Sequence, residues 1–174
     1  MVKFLYIFYA IQLHKDYKPI DNSIYRMFSF LTGTTETKTK YIGFEDVKYA
    51  VSNTRDFILI NTLSANNQDV LIRGTLACDK EETAINEQIT NYRAPDIPVI
   101  IYGNNCSDES VLRKQEQLVG LGVKYVYVYM GGIFEWLMLQ DIYGYDEFPT
   151  TNKCMDILKF RGSRRLEKQL LLEY

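Results

Sequence analysis

One histidine, His14, stands in this 174-residue chain, so neither a metal site built on several imidazoles nor a relay of histidines can be assembled from it. Cysteine is scarce as well. Cys78, Cys106 and Cys154 form an odd set with no Cys-x-x-Cys pair, which speaks against a disulfide framework and for reduced thiols in a cytoplasm-like compartment. Basic excess is missing: 20 Lys and Arg stand against 22 Asp and Glu, a net charge of −2, so no nucleic-acid surface is expected. Long apolar runs are missing too. Phe4 to Ile11 falls far short of the ~20 residues that span a bilayer, and no small-residue cleavage motif follows it. We read it as a core or partner-facing element.

What remains is an ordinary globular composition, 47% hydrophobic and 24% charged, in a chain long enough for one cored domain. Residues 1–40 read as an extension, closed by the polar stretch Thr32 to Lys40. Helical spacing of Phe44, Val47, Ala50 and Val51 predicts a short helix over Ile42–Val51. Phe57–Ile60 is a continuous apolar run of buried-strand type, and a polar loop, Ser64 to Asp69, leads from it to Val70–Ile72 and a turn at Gly74. Glu81–Tyr92 carries Ala84, Ile85 and Ile89 on one face, so a helix is expected. Pro95 and Pro98 end it and launch a strand to Tyr102. A helix from Ser110 to Gly120 follows, then a turn at Gly122, a strand Tyr125–Tyr129 and a helix Ile133–Ile142. Strand–helix alternation of this kind implies α/β architecture with a largely parallel sheet.

Between strand and helix lies Gly103-Asn104-Asn105-Cys106-Ser107-Asp108-Glu109. A cysteine in a loop that opens a helix sits where backbone N–H groups and the helix dipole favour a thiolate or bind an anion. Two carboxylates in the same loop oppose an approaching anion and raise a nearby thiol's pKa. Their bland reading is helix capping, with Ser107 or Asp108 as the cap, and that role is favoured.

The strand and loop from Val99 to Gly120, with Gly131-Gly132-Ile133-Phe134-Glu135-Trp136 after the next strand, resemble the rhodanese superfamily of sulfurtransferases and one class of phosphatases. Ile42–Val51, Asn61-Thr62-Leu63 and Ile72-Arg73-Gly74 extend the resemblance over about residues 41–143. Tyr102 to Cys106, Gly131 to Leu137, Asp141 to Gly144, Phe148 to Thr151 and Asp156 to Lys159 are similar to a divergent branch associated with large DNA viruses and single-celled eukaryotes. The resemblance implies a three-layer α/β domain with a mostly parallel five-stranded sheet at 41–143, an N-terminal extension at 1–40 and a C-terminal tail with a short amphipathic helix at 144–174. It implies Cys106 as the nucleophile, a cradle of N–H groups from Asn104 to Ser110 with Arg113 as a displaced cationic helper, and Gly131, Gly132 and Trp136 as structural residues. No cofactor or metal is implied.

The sequence departs from that pattern. The family's nucleophile directly follows its strand, where Gly103 stands here. Basic residues expected five or six positions after the cysteine fall on Val111 and Leu112, one or two short of Arg113. The family's Asp and Arg after its second strand are Asn61 and Leu63. The expectation is therefore a catalytically degenerate domain that binds a protein partner or itself through the N-terminal segment and the C-terminal helix, in a reducing, cytoplasmic compartment, within a larger assembly or a virus. The alternative is a sulfurtransferase carrying a persulfide on Cys106, with a thiol phosphatase behind it. Tyr125, Tyr127 and Tyr129 read as a strand and not as a base-stacking platform. Lys159, Arg161, Arg164, Arg165 and Lys168 read as a solvated face.

Overall fold

The computed structural model describes residues 39–90 and 96–163, all of which belong to one compact unit. The Phe4–Ile11 segment and the leucine-bearing tail helix lie outside the described residues. In chain order the elements are β1 (Lys40–Tyr41), α1 (Phe44–Ser52), β2 (Ile58–Asn61), a 3-10 turn (Ala65–Asn67), α2 (Cys78–Thr90), β3 (Val99–Tyr102), α3 (Ser110–Gly120), β4 (Val126–Tyr129), α4 (Gly132–Tyr143) and a second 3-10 turn (Ile157–Phe160). The strands pair in the order β1-β4-β3-β2, and every pair is parallel.

Alternation along the central strand builds the layers. All four residues of β3 are buried. Ile100 and Tyr102 point into one core with Val47 and Ala50 of α1 and Ile133, Trp136 and Leu137 of α4. Val99 and Ile101 point into the other, with Ile85 of α2 and Val111 and Leu118 of α3. A parallel strand covered on both faces needs apolar residues at every position, which is why Val-Ile-Ile-Tyr carries no alternation in polarity. The register sets Asn61 beside Tyr102 and Tyr102 beside Tyr129. The loops leaving β2, β3 and β4 consequently open on one edge of the sheet, the carboxyl edge where open α/β folds place their ligands.

The sheet has four strands among the described residues, not the five expected. Val70–Ile72 is apolar enough for a strand but enters only one single-residue bridge, Ile72 with Thr150, while Leu59 bridges Thr75 beyond it. Gly74 has φ +86°, and the Thr75 N–H returns to the Ile72 carbonyl at 3.1 Å. A left-handed residue ends extended structure, so the run becomes a turn on the flank of β2.

The segment after α4 is part of the α1/α4 core. Phe148, Thr150 and Phe160 are buried. The Phe148 ring meets Trp136 edge-on at 5.0 Å and Phe44 at 5.9 Å. Trp136 Nε1–H donates to the Pro149 carbonyl at 3.3 Å, which gives the buried indole the partner it requires. Each such aromatic contributes roughly 1.5–3 kcal/mol by burial.

Candidate functional site

The Cys106 loop is pinned from below by α4. The first N–H groups of a helix have no partner within it, and those of Ile133 and Phe134 donate to the carbonyls of Gly103 and Asn104, each at 2.9 Å. Such closeness is possible because Gly132 has no side chain. It sits at φ +64°, and a Cβ there would lie 2.6 Å from the Gly103 oxygen and 2.8 Å from the Asn104 carbon and the Asn105 nitrogen. Gly103 is crowded likewise, for a Cβ would come within 2.6 Å of Asp108 Oδ2 and Val111 Cγ2. Gly132 at the start of α4 and Gly103 after β3 are thus two halves of one clamp.

Within the clamp the loop bonds to itself. Asp108 Oδ2 accepts from the Asn104 backbone N–H at 2.9 Å and from Asn104 Nδ2 at 2.7 Å. Its Oδ1 accepts from the Ser110 N–H at 3.1 Å and the Ser110 hydroxyl at 2.5 Å. Burial pushes the Asp108 carboxyl up, but the hydrogen bonds from Asn104 and Ser110 together outweigh it and hold it below its ordinary value. Asn105 is buried. Its Oδ1 accepts from the Ser107 N–H at 2.9 Å, and its Nδ2 donates to the Phe160 carbonyl at 2.7 Å. The Asp108 N–H goes to the Asn105 carbonyl at 3.0 Å. The backbone donors of Asn104, Ser107, Asp108 and Ser110, expected to form an anion cradle, are therefore engaged by the loop's own oxygens.

Cys106 is exposed on the outside of this loop. Arg113 lies one turn into α3, with its guanidinium 3.9 Å from the Glu109 carboxylate and both side chains well exposed. The fold thus brings together Gly103, Asn104, Asn105, Ser107, Asp108 and Ser110, while Arg113 and Glu109 stand on the outer helix face. Trp136 is fully buried beneath. Lys159 is paired with Asp69 at 2.9 Å, and the Arg161 guanidinium donates to the Leu158 carbonyl at 3.1 Å.

The balance of charge disfavours an external anion. A helix N-terminus offers about 0.3–1 kcal/mol to a negative group at its surface. Two unit charges about 4 Å apart repel by roughly 4 kcal/mol at an effective dielectric near 20. With Asp108 ionised in the loop, repulsion exceeds attraction for any second anion placed against the same donors.

Sequence reasoning named Asn61, Thr62 and Leu63 only as counterparts of a family motif and missed Asn67 and Gln68 beside them. Asn61 is buried; its Oδ1 accepts from the Leu63 N–H at 3.0 Å and from Gln68 Nε2 at 2.8 Å. Gln68 Nε2 also reaches the Leu63 carbonyl at 2.9 Å, and its Oε1 lies 3.5 Å from the Cys78 thiol. Asn67 Nδ2 touches Asn104 Oδ1 at 3.4 Å, and the hydroxyls of Thr62 and Ser110 are 2.7 Å apart. The position of Asn61 at the end of β2 was the available signal. Under Tyr129, burial together with the Glu135 and Glu45 carboxylates drives the phenol's pKa upward. Among the described residues no group of three or more His, Cys, Asp or Glu side chains could hold a metal, and no helix is long and apolar enough to cross a membrane.

No protein-family model matches the chain, and no curated protein matches it in sequence. Solved structures with a similar chain path include members of the rhodanese family. A yeast protein tyrosine phosphatase of that family, Ygr203w, aligns at 14% identity and TM-score 0.49, over 73% of this chain and 100% of its own. The single-domain sulfurtransferase RDL2 of Saccharomyces cerevisiae aligns at 17% identity and TM-score 0.45, over 63% and 98%. The BH2092 protein of Bacillus halodurans aligns at 16% identity and TM-score 0.48, over 86% and 98%.

Proposed function

We propose that this chain is a rhodanese-like domain of the divergent viral and protist type, which has given up anion chemistry at Cys106 and serves as a binding or assembly module. One observation carries the reading: the Asp108 carboxylate holds the N–H groups of Asn104 and Ser110, the donors that thiosulfate or a phosphoryl group would need. The register of basic residues supports it: Val111 and Leu112 stand at the family's basic positions, and Arg113 pairs with Glu109. Partner contacts are assigned to residues 1–40 and to the tail beyond 160. The exposed Ile142, Tyr143, Met155 and Leu158 add apolar surface to that account.

A second reading is kept for one reason. Cys106 is exposed on a rigidly clamped loop at the carboxyl edge, which is where a persulfide carrier would need its thiol. There the thiolate would attack the outer sulfur of thiosulfate and release sulfite. Cyanide would then take that sulfur as thiocyanate and restore the thiolate.

Thiosulfate:cyanide turnover, measured with mass detection of a sulfur adduct and Cys106→Ser as control, separates the two. The module reading expects neither turnover nor a Cys106-dependent adduct in folded protein. It also expects self-association or co-purification that disappears when residues 1–30 or 161–174 are removed. Turnover abolished by Cys106→Ser would establish the enzyme reading instead.

A further inference from the structure

We propose that the Cys106 loop is a carboxylate nest filled by its own chain: Asp108 takes in cis the donors an external oxyanion would need, and so keeps the loop closed to oxyanions. The inference rests on the reading above and deepens it by giving a cause for the lost anion chemistry.

Both carboxylate oxygens are committed. Oδ2 holds the backbone N–H and side-chain amide of Asn104, and Oδ1 holds the N–H and hydroxyl of Ser110, at 2.5 to 3.1 Å. Two main-chain donors, an amide and a hydroxyl around one ionised carboxylate make a charge-assisted set, the kind otherwise found around a bound anion. A cap alone would use only Oδ1 on Ser110. The reach back to Asn104 is the additional feature, and it spans the whole loop.

The walls of the nest are fixed independently of Asp108. Asn104 is held through its carbonyl by the Phe134 N–H at 2.9 Å and through its side-chain oxygen by Asn67. Ser110 begins the 11-residue α3 and rests against Thr62. Gly103 forms the floor, where a Cβ would come within 2.6 Å of the carboxylate. Removing the Asp108 side chain therefore leaves the donors in place and unpaired, at the amino end of a helix, with one local negative charge gone. An oxyanion of similar size then has both room and donors.

The test uses the full chain with Asp108→Gly, Asp108→Ser and Asp108→Asn. Sodium formate and sodium sulfate are titrated against sodium chloride at matched ionic strength, following the Asn104 and Ser110 amide resonances and the thermal midpoint. In the glycine and serine variants the two amides are expected to shift saturably, at roughly tenfold lower formate or sulfate than any response of the unsubstituted chain. The asparagine variant keeps the nest occupied and is expected to gain nothing. Should the glycine variant fail to fold in chloride, formate is expected to restore its folding transition. The nest is wrong if the folded variants leave both amides unmoved, if the unsubstituted chain responds as strongly, or if formate fails to rescue an unfolded variant. Silent amides would overturn the nest and leave the module reading intact. A Cys106-dependent sulfur adduct from thiosulfate in the unsubstituted chain would overturn both, since thiosulfate is itself an oxyanion.

Discussion

Two loops leave the carboxyl edge side by side, and they are held in different ways. The loop after β3 is closed by main-chain contacts, with the first turn of α4 on its carbonyls and one carboxylate across its amides. The longer connection after β2 is held by side-chain amides, Asn61 and Gln68, reaching one another and the Leu63 backbone. Main-chain clamps at a glycine tolerate no added atom, whereas amide pairs can be lost one hydrogen bond at a time. The β3 loop is therefore the rigid half of the edge, and the β2 loop the adjustable half.

The largest expected effect is on the clamp. Gly132→Ala puts a Cβ 2.6 to 2.8 Å from loop backbone at a left-handed residue, and a loss of about 3 kcal/mol or more, or failure to fold, is expected in urea unfolding. Trp136→Ala, in the same clamp's support, is expected to cost about 3–5 kcal/mol. Next comes Asp108→Asn, which turns an acceptor-only group toward N–H donors as an amide and is expected to cost about 1–3 kcal/mol at neutral pH. Its sign with pH follows from the lowered Asp108 pKa. A carboxylate depressed by folding contributes stability above its unfolded pKa of about 3.9 and loses it as pH falls through the folded value. The gap between unsubstituted chain and variant should therefore narrow below about pH 4; a gap constant down to pH 2 would contradict the assignment.

Asn61→Ala tests the adjustable half. Losing its bonds to the Leu63 N–H and Gln68 is expected to cost about 1 kcal/mol, visible as faster amide exchange at Leu63 with Asn104 unaffected. If Asn104 exchange rises equally, the two loops are one unit and the contrast fails. Arg113→Ala is expected to change stability by less than about 0.5 kcal/mol, the value of an exposed pair.

Much of this edge could be read from sequence where the cause is local. The helix read from Ser110 to Gly120, ending in a turn at Gly122, stands at its observed bounds, and the strand read up to Tyr102 is β3. What was not legible depends on distant residues. Val70–Ile72 has strand composition, yet its one bridge is to Thr150, far along the chain. A helix cap at Ser107 or Asp108 follows from the sequence, and the structure gives it to Asp108. The reach of Asp108 back to Asn104 does not follow, because it needs the empty space above Gly103. The partners of α4's first N–H groups are likewise invisible, lying in a loop some thirty positions upstream.

The all-parallel register also orders events in time. β3 and β4 meet across a short separation, Val99 beside Val126, while β1 waits for β4, with Lys40 beside Tyr127. Closing the longer loop costs about 1 kcal/mol more chain entropy, and β1 brings only two residues to offset it. The barrier to folding is therefore expected to be crossed with β3 and β4 joined and β1 still free. Folding rates should fall for Ile101→Val and stay unchanged for Tyr41→Ala, whose effect would appear in unfolding alone.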